Sequence, residues 1–308
     1  MTLPLRLAEL TPAALQQGLH GAGIPIVTGP FVFSIRSYEP EVAEGLSRLY
    51  GAHLVDRSGF ADFAVEVRRA RGLRGLLKPQ VEFLLDGHTP FHPLPRAQAF
   101  AMLEWGMNWC IASQAHQYLV IHAAVVEREG LAAILPAPPG SGKSTLTAAL
   151  IHRGWRLLSD ELALVELETG QMIPLARPVN LKNNSIEVLK GFAPEARWGR
   201  EVPDTQKGRV VHVRVPDTSV AAATIPAQPR WVVFPRWQAG AELTLEPHAK
   251  AHAFIQLADN AFNYSMLGER GFRVLADLID RCDSVGFTYS RLDDAIAYFD
   301  KLVDVATR

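Results

Sequence analysis

The stretch Ala133-Ile-Leu-Pro-Ala-Pro-Pro-Gly-Ser-Gly-Lys-Ser-Thr-Leu-Thr-Ala-Ala-Leu150 constrains this chain most. An apolar strand runs into a glycine-rich turn and then into an Ala/Leu-rich helix headed by Gly142, Lys143, Ser144 and Thr145. That order reads as a phosphate-binding P-loop. Successive backbone N–H groups of Gly140, Ser141, Gly142 and Lys143 can curl round a phosphate at the positive end of the helix. Pro139 shapes the turn but has no N–H to give. Lys143 reaches for the β- and γ-phosphates, and Ser144 offers a hydroxyl to Mg²⁺. The usual pattern opens with glycine five positions before Gly142, where this chain has Ala137. An ordinary glycine-rich connection between strand and helix is the plain alternative.

At 308 residues and 48% hydrophobic content the chain can bury a full core. With 31 Lys plus Arg against 32 Asp plus Glu, the formal charge of −1 supplies no general attraction to nucleic acid or to an anionic membrane. Cys110 and Cys282 lack Cys-x-x-Cys spacing, so neither a disulfide framework nor a zinc site is implied, and a reducing cytoplasm fits. The start, Met1 to Leu10, has no basic segment followed by a continuous apolar core, and no later apolar run is long enough to span a bilayer.

Residues 1–95 are expected to form a smaller α+β region, with helices over Thr11–Leu19 and Glu39–Tyr50 and strands at Phe31–Arg36, Phe60–Arg68 and Val81–Leu85. The Pro/His-rich stretch Gly87–Pro95 marks a boundary; His88 and His92 within it are more often turn residues than metal ligands. Residues 96–308 are then an α/β nucleotide-binding domain. It opens with an apolar helix from Arg96 to about Ala115, whose Trp105 and Trp109 form a stripe expected to pack. A hairpin turning at Glu129-Gly130 feeds the P-loop, and a strand pair follows at Trp155–Leu158 and Leu162–Leu167. Further strands are expected at Met172–Leu175, Trp231–Phe234 and Leu243–Leu245, then a mostly helical tail from Ala251. The polar Thr205–Arg209 reads as a mobile loop.

A P-loop binds nucleotide without defining the reaction, so the acidic residues downstream matter. Asp160 and Glu161 follow the apolar Trp155–Leu158, where a turn would project a carboxylate toward the phosphates to hold Mg²⁺ with Ser144 or to take a proton from an attacking hydroxyl. A solvated acidic turn is the bland reading. His122, mid-strand in the hairpin, is equally a hydrogen-bonded core histidine or a catalytic one.

In order and spacing, His122, Gly140–Ser144 and Asp160-Glu161 resemble the catalytic domain of bacterial HPr serine kinase/phosphorylase, over roughly Tyr118–Leu189. Thr28–Ser37, Val233–Arg236 and Asn263-Tyr264 resemble a divergent group of that family labelled HprK-related kinase A. The resemblance implies a P-loop fold of the HPr kinase/phosphoenolpyruvate carboxykinase type. It also implies ATP and Mg²⁺ as cofactors and a seryl hydroxyl of a protein or peptide as acceptor, with a small PqqD-like partner and homo-oligomers in view. It places Asp160 as the base, Glu161 as its metal-binding partner and His122 near the reacting phosphate. A charged Glu/Arg motif in the bifunctional enzymes maps to Asn180 and Lys182, which implies a kinase without efficient phosphorolysis. Asn180 can still meet Mg²⁺ through its carbonyl oxygen. Two other classes share these motifs: a P-loop ATPase or switch, which would release free phosphate without an acceptor, and a degenerate nucleotide-binding module.

Overall fold

The structure is a computed structural model and describes residues 5–71 and 78–307. Glu129 and Gly130 both take positive φ, 54° and 79°, the conformation that a two-residue hairpin turn requires. They join Tyr118–Arg128 to Leu131–Pro136 with Arg128 opposite Leu131. Along the first of these strands the side chains alternate strictly. Leu119, Ile121, Ala123 and Val125 enter one core, and Ala124 and Val126 the core on the other face.

These two strands lie inside an eight-stranded mixed sheet, in the order Met172–Ile173, Leu162–Glu166, Tyr118–Arg128, Leu131–Pro136, Gln228–Trp237, Asp283–Tyr289, Thr244–Pro247; Arg156–Ser159 also pairs with Tyr118–Arg128. Leu131–Pro136, Gln228–Trp237 and Asp283–Tyr289 run parallel, so the glycine-rich turn leaves the end of a central strand. Helices Lys143–Ile151 and Leu292–Ala306 share the core on one face, and Lys250–Asp259 and Tyr264–Arg281 that on the other. The product is a three-layer α/β arrangement. Among the described residues, no helix is long and apolar enough to cross a membrane.

The N-terminal residues build a separate seven-stranded sheet, in the order Leu5–Arg6, Leu54–Val55, Ile24–Thr28, Phe31–Ser37, Phe63–Arg69, Gln80–Leu85, Leu94–Pro95. Helix Ala99–Gln114, although it follows residue 95, packs with this sheet: Met102, Leu103, Met107, Cys110 and Ile111 join Phe33, Val65 and Phe83 in one core. Val120, Leu162 and Leu164 reach the same core, which ties the two sheets together at the edge where His122 lies.

Four expectations change. Asp283–Tyr289, assigned to the helical tail, is a parallel strand whose Val285, Phe287 and Tyr289 pack toward the helix Lys143–Ile151. Trp155–Leu158 and Leu162–Leu167 do not pair with one another; both lie antiparallel to Tyr118–Arg128, end to end. Thr205–Arg209 is the tight tip of a hairpin between Val202–Thr205 and Gly208–Val213, closed by the Thr205 hydroxyl donating to the Gly208 carbonyl at 2.6 Å. These strands and Val179–Lys182 form a third sheet that the sequence reading lacked. His88 sits in a turn, its Nδ1 3.1 Å from the Asp86 carbonyl oxygen, and no group of three potential metal-binding His, Cys, Asp or Glu residues occurs among the described residues. Cys110 and Cys282 are buried and unpaired in different cores, and burial pushes both thiols up to about 12.

Candidate active site

Gly142 has φ 87°, and a Cβ there would stand 2.6 Å from the Tyr289 hydroxyl and 2.8 Å from Trp237 Cβ, so only glycine fits. The two neighbouring parallel strands grip the turn from outside. Trp237 N–H donates to the Ser141 carbonyl at 2.8 Å, and the Tyr289 hydroxyl to the Gly142 carbonyl at 3.2 Å. Gly140 also has positive φ, 88°, whereas Ala137 does not and is simply buried, so an alanine at that position needs no strained backbone. Pro139 is exposed on the turn, and Ser144 and Thr145 are half-buried in the first turn of the helix. Lys143 is buried, its Nζ donating to the Asp160 backbone carbonyl at 3.1 Å.

Asp160 and Glu161 occupy a bend between Arg156–Ser159 and Leu162–Glu166, and this bend sends the two carboxylates to different places. Asp160 turns inward and is 4% exposed. Its Oδ2 accepts the Asn180 N–H at 3.3 Å, while its Oδ1 has no partner. The side-chain oxygen of Asn180 is likewise buried and without a donor. Both residues line a small cavity of about 20 Å³ beside Ser159, Glu161, Arg177 and His212. Burial drives the Asp160 carboxyl up to about 6, with the Glu161 charge adding to the rise; Lys143, the Asn180 N–H and the Ser144 hydroxyl pull against it.

Glu161 is partly exposed and turns outward, its Oε2 3.2 Å from His122 Nε2. Burial would raise this carboxyl, but the His122 hydrogen bond and the charges of Lys143 and Lys182 overcome it and hold it well below its usual value. His122 lies opposite Leu162 in the strand register, its own N–H donating to the Asn260 carbonyl at 2.8 Å. The segment from Asn260 to Asn263 covers this strand edge. Asn263 is fully buried, its side-chain oxygen accepting the Val120 N–H and its amide donating to the Tyr118 carbonyl, which gives that residue a structural task.

Outside Glu161 opens a cleft of about 430 Å³ lined by Trp105, Asn108, Trp109, His122, Lys207 and Phe262, among others. Here the expected packing stripe holds in part: Trp109 packs edge-on with Phe91, ring centroids 5.3 Å apart, and the same stripe also borders the cleft. Trp105, Asn108, Trp109, Ala112 and Ser113 follow the i, i+3, i+4, i+7, i+8 pattern of one helix face, and that face looks into the cleft while the opposite face fills the N-terminal core. A helix apolar on both faces does not announce which one is covered. The structure thus brings His122, Lys143, Ser144, Asp160, Glu161 and Asn180 to one place and adds the tryptophans, Phe262 and Lys207.

The oxygens of Asp160, Asn180 and Ser144 form a hard donor set, and two buried acceptors without donors are what a cation, not a further hydrogen-bond acceptor, would satisfy. These residues fit Mg²⁺.

No family model and no curated protein sequence matches this chain. Among solved structures, the HPr(Ser) kinase/phosphatase from Coxiella burnetii is similar at 12% identity, over 61% of this chain and 95% of that one, with a TM-score of 0.29.

Proposed function

We propose that this protein is a kinase that transfers the γ-phosphate of ATP to a hydroxyl group, with a serine of a protein or peptide as the acceptor. The observation that carries the reading is the meeting of Lys143, at the end of a glycine-rich turn with paired positive-φ glycines, with the two unpartnered buried oxygens of Asp160 and Asn180. The N–H groups of Gly140, Gly142 and Lys143 and the Lys143 ammonium hold the phosphates. Asp160, Asn180 and Ser144 hold Mg²⁺, which when bound neutralises charge on the phosphate oxygens.

The separation of the two carboxylates supports exchanging the roles that the family resemblance implies. Both carboxylates border the small cavity with Asn180, but Glu161 alone also borders the cleft from which an acceptor enters, with His122 fixing its orientation. In the step proposed, the acceptor oxygen forms a bond to the γ-phosphorus as the bond to the β–γ bridging oxygen breaks. ADP leaves with that electron pair, and the hydroxyl proton passes to Glu161. Positioning and electrostatics then supply most of the rate.

Lys143→Ala is expected to abolish transfer and to weaken ATP binding by at least tenfold, on the order of the 1.5–3 kcal/mol of a charge-assisted hydrogen bond. Titration calorimetry with ATP checks this; unchanged affinity would remove the nucleotide site from the glycine-rich turn. The neutral Asn180 makes the reaction directional. Phosphorylated acceptor given excess inorganic phosphate and Mg²⁺ is expected to release little pyrophosphate, and release as fast as the forward reaction would refute this.

A further inference from the structure

No residue of the glycine-rich turn lines the 430 Å³ cleft outside Glu161, so its occupant is something other than the triphosphate. One wall is the helix face carrying Trp105, Asn108 and Trp109; Phe262 and His122 stand across from it, their rings 6.1 Å apart. Trp109 and Phe262 remain 36% and 50% exposed at the mouth, so the apolar lining runs out to the surface instead of closing over. Exposed aromatic surface beside a candidate catalytic carboxylate is the signature of a recognition surface. The Lys207 ammonium lies over the Trp105 ring, 5.3 Å from its centroid. Lys207 forms no direct ion pair among the described residues, although the Glu161 charge acts on it against its burial and the charge of Lys182. The Lys207 ammonium in the lining of this aromatic cleft complements a negative charge brought by the occupant.

Resting on the kinase reading, we propose that this cleft is the acceptor site and that it takes a short peptide segment whose serine is flanked by an aromatic or large aliphatic side chain and by an acidic residue. The aromatic neighbour lies against Trp105, Trp109 and Phe262, the acid meets Lys207, and the serine hydroxyl reaches Glu161. The volume is that of a small-ligand site, too small for a folded domain to enter, so the acceptor is inserted as an extended or looped segment. The open aromatic rim gives the continuing chain a path out.

The test is a panel of synthetic decapeptides, each with one serine, varied beside it among Phe, Leu and Ala and among Glu, Ala and Lys, with phosphate incorporation measured from labelled ATP. Peptides with both an aromatic and an acidic neighbour are expected to be used with kcat/KM on the order of tenfold above the alanine peptides. Trp109→Ala and Phe262→Ala alter exposed side chains and are expected to raise KM for the aromatic peptides and erase that preference; Lys207→Ala is expected to erase the acidic one. ATP affinity, measured in parallel, is expected to stay unchanged in all three variants. Equal use of all peptides, or unaltered preferences in the variants, would overturn the cleft assignment while continued phosphate transfer left the kinase reading standing. Transfer only to a low-molecular-weight alcohol would do the same. Use of none, with free phosphate released from ATP or no turnover at all, would overturn both. Loss of ATP binding by the unaltered protein would instead remove the kinase reading itself.

Discussion

Glu161→Gln is expected to lower kcat by about 10–10²-fold, less than a well-matched general base contributes, because a carboxyl held well below its usual value is a weak proton acceptor and acts chiefly by orienting the hydroxyl, with the Mg²⁺ requirement unchanged. Asp160→Asn is expected to do something different: to raise the Mg²⁺ concentration needed for ATP binding and transfer, because a neutral amide replaces the buried carboxylate that accepts the Asn180 N–H and whose other oxygen has no partner. It is also expected to stabilise the metal-free protein at neutral pH. The sign follows from the direction of the shift. The folded-state pKa of Asp160 is raised from 3.8 to about 6, so its contribution to stability is fully present below pH ~3.8 and is lost as pH rises through about 6. At pH 7–8 the buried charge therefore opposes folding, and the amide removes that term. Denaturant unfolding in the presence of a chelator, at pH 5 and pH 8, should show the variant gaining at the higher pH. If Glu161→Gln instead altered Mg²⁺ dependence while Asp160→Asn left it intact, the two roles would revert to those the family resemblance implies.

How far the site was legible depends on which interactions are local. The turn from Pro139 to Thr145 is written in adjacent residues, and the Glu129-Gly130 hairpin before it needs only two positive-φ positions, so both can be read directly. Asp160, Glu161 and Asn180 were legible as chemical types at suitable spacing. That Glu161 alone of the three reaches the cleft was not, because it depends on a bend between two short strands that both pair with Tyr118–Arg128. The strand Asp283–Tyr289 carries the alternating Val285, Phe287 and Tyr289, yet seven residues between two helical patterns are easily absorbed into them; only its parallel pairing with Gln228–Trp237 distinguishes it. Trp105 and Trp109 illustrate the same limit. Helical periodicity places them on one face, but whether that face meets a core or a cleft is decided by Lys207 and Phe262, far away in sequence.

Truncating either member of the buried Arg177–Glu104 pair is expected to have the largest effect on stability in this protein, about 3–5 kcal/mol, because it strands the other charge away from water. Arg177 and Glu104 are 6% and 4% exposed, and their polar atoms are closely satisfied. Arg177 Nη2 donates to Glu104 Oε2 at 2.7 Å and to the Glu104 carbonyl at 3.0 Å; its Nη1 donates to Asn108 Oδ1 at 2.7 Å, and its Nε to the Tyr50 hydroxyl at 3.3 Å. Tyr50 in turn donates to Glu104 Oε1 at 2.6 Å. A network this complete is worth little over well-packed apolar replacements but a great deal once half of it is removed. Glu104→Ala and Arg177→Ala should each show the full loss in urea unfolding, whereas the double variant Glu104→Leu with Arg177→Met should recover most of it. Adding the double variant Glu104→Ala with Arg177→Ala closes a cycle, in which additive losses would mean the residues act independently and would dismiss the pair as a unit. The cluster also has a place in the chemistry. It joins helix Ala99–Gln114, which carries the cleft face, to the segment leading into Val179–Lys182, which carries Asn180, so the recovered double variant is expected to fold well yet position cleft and donor set less firmly. In the double variant that effect should appear as a raised acceptor KM and a raised Mg²⁺ requirement together, a combination that loss of stability alone would not produce.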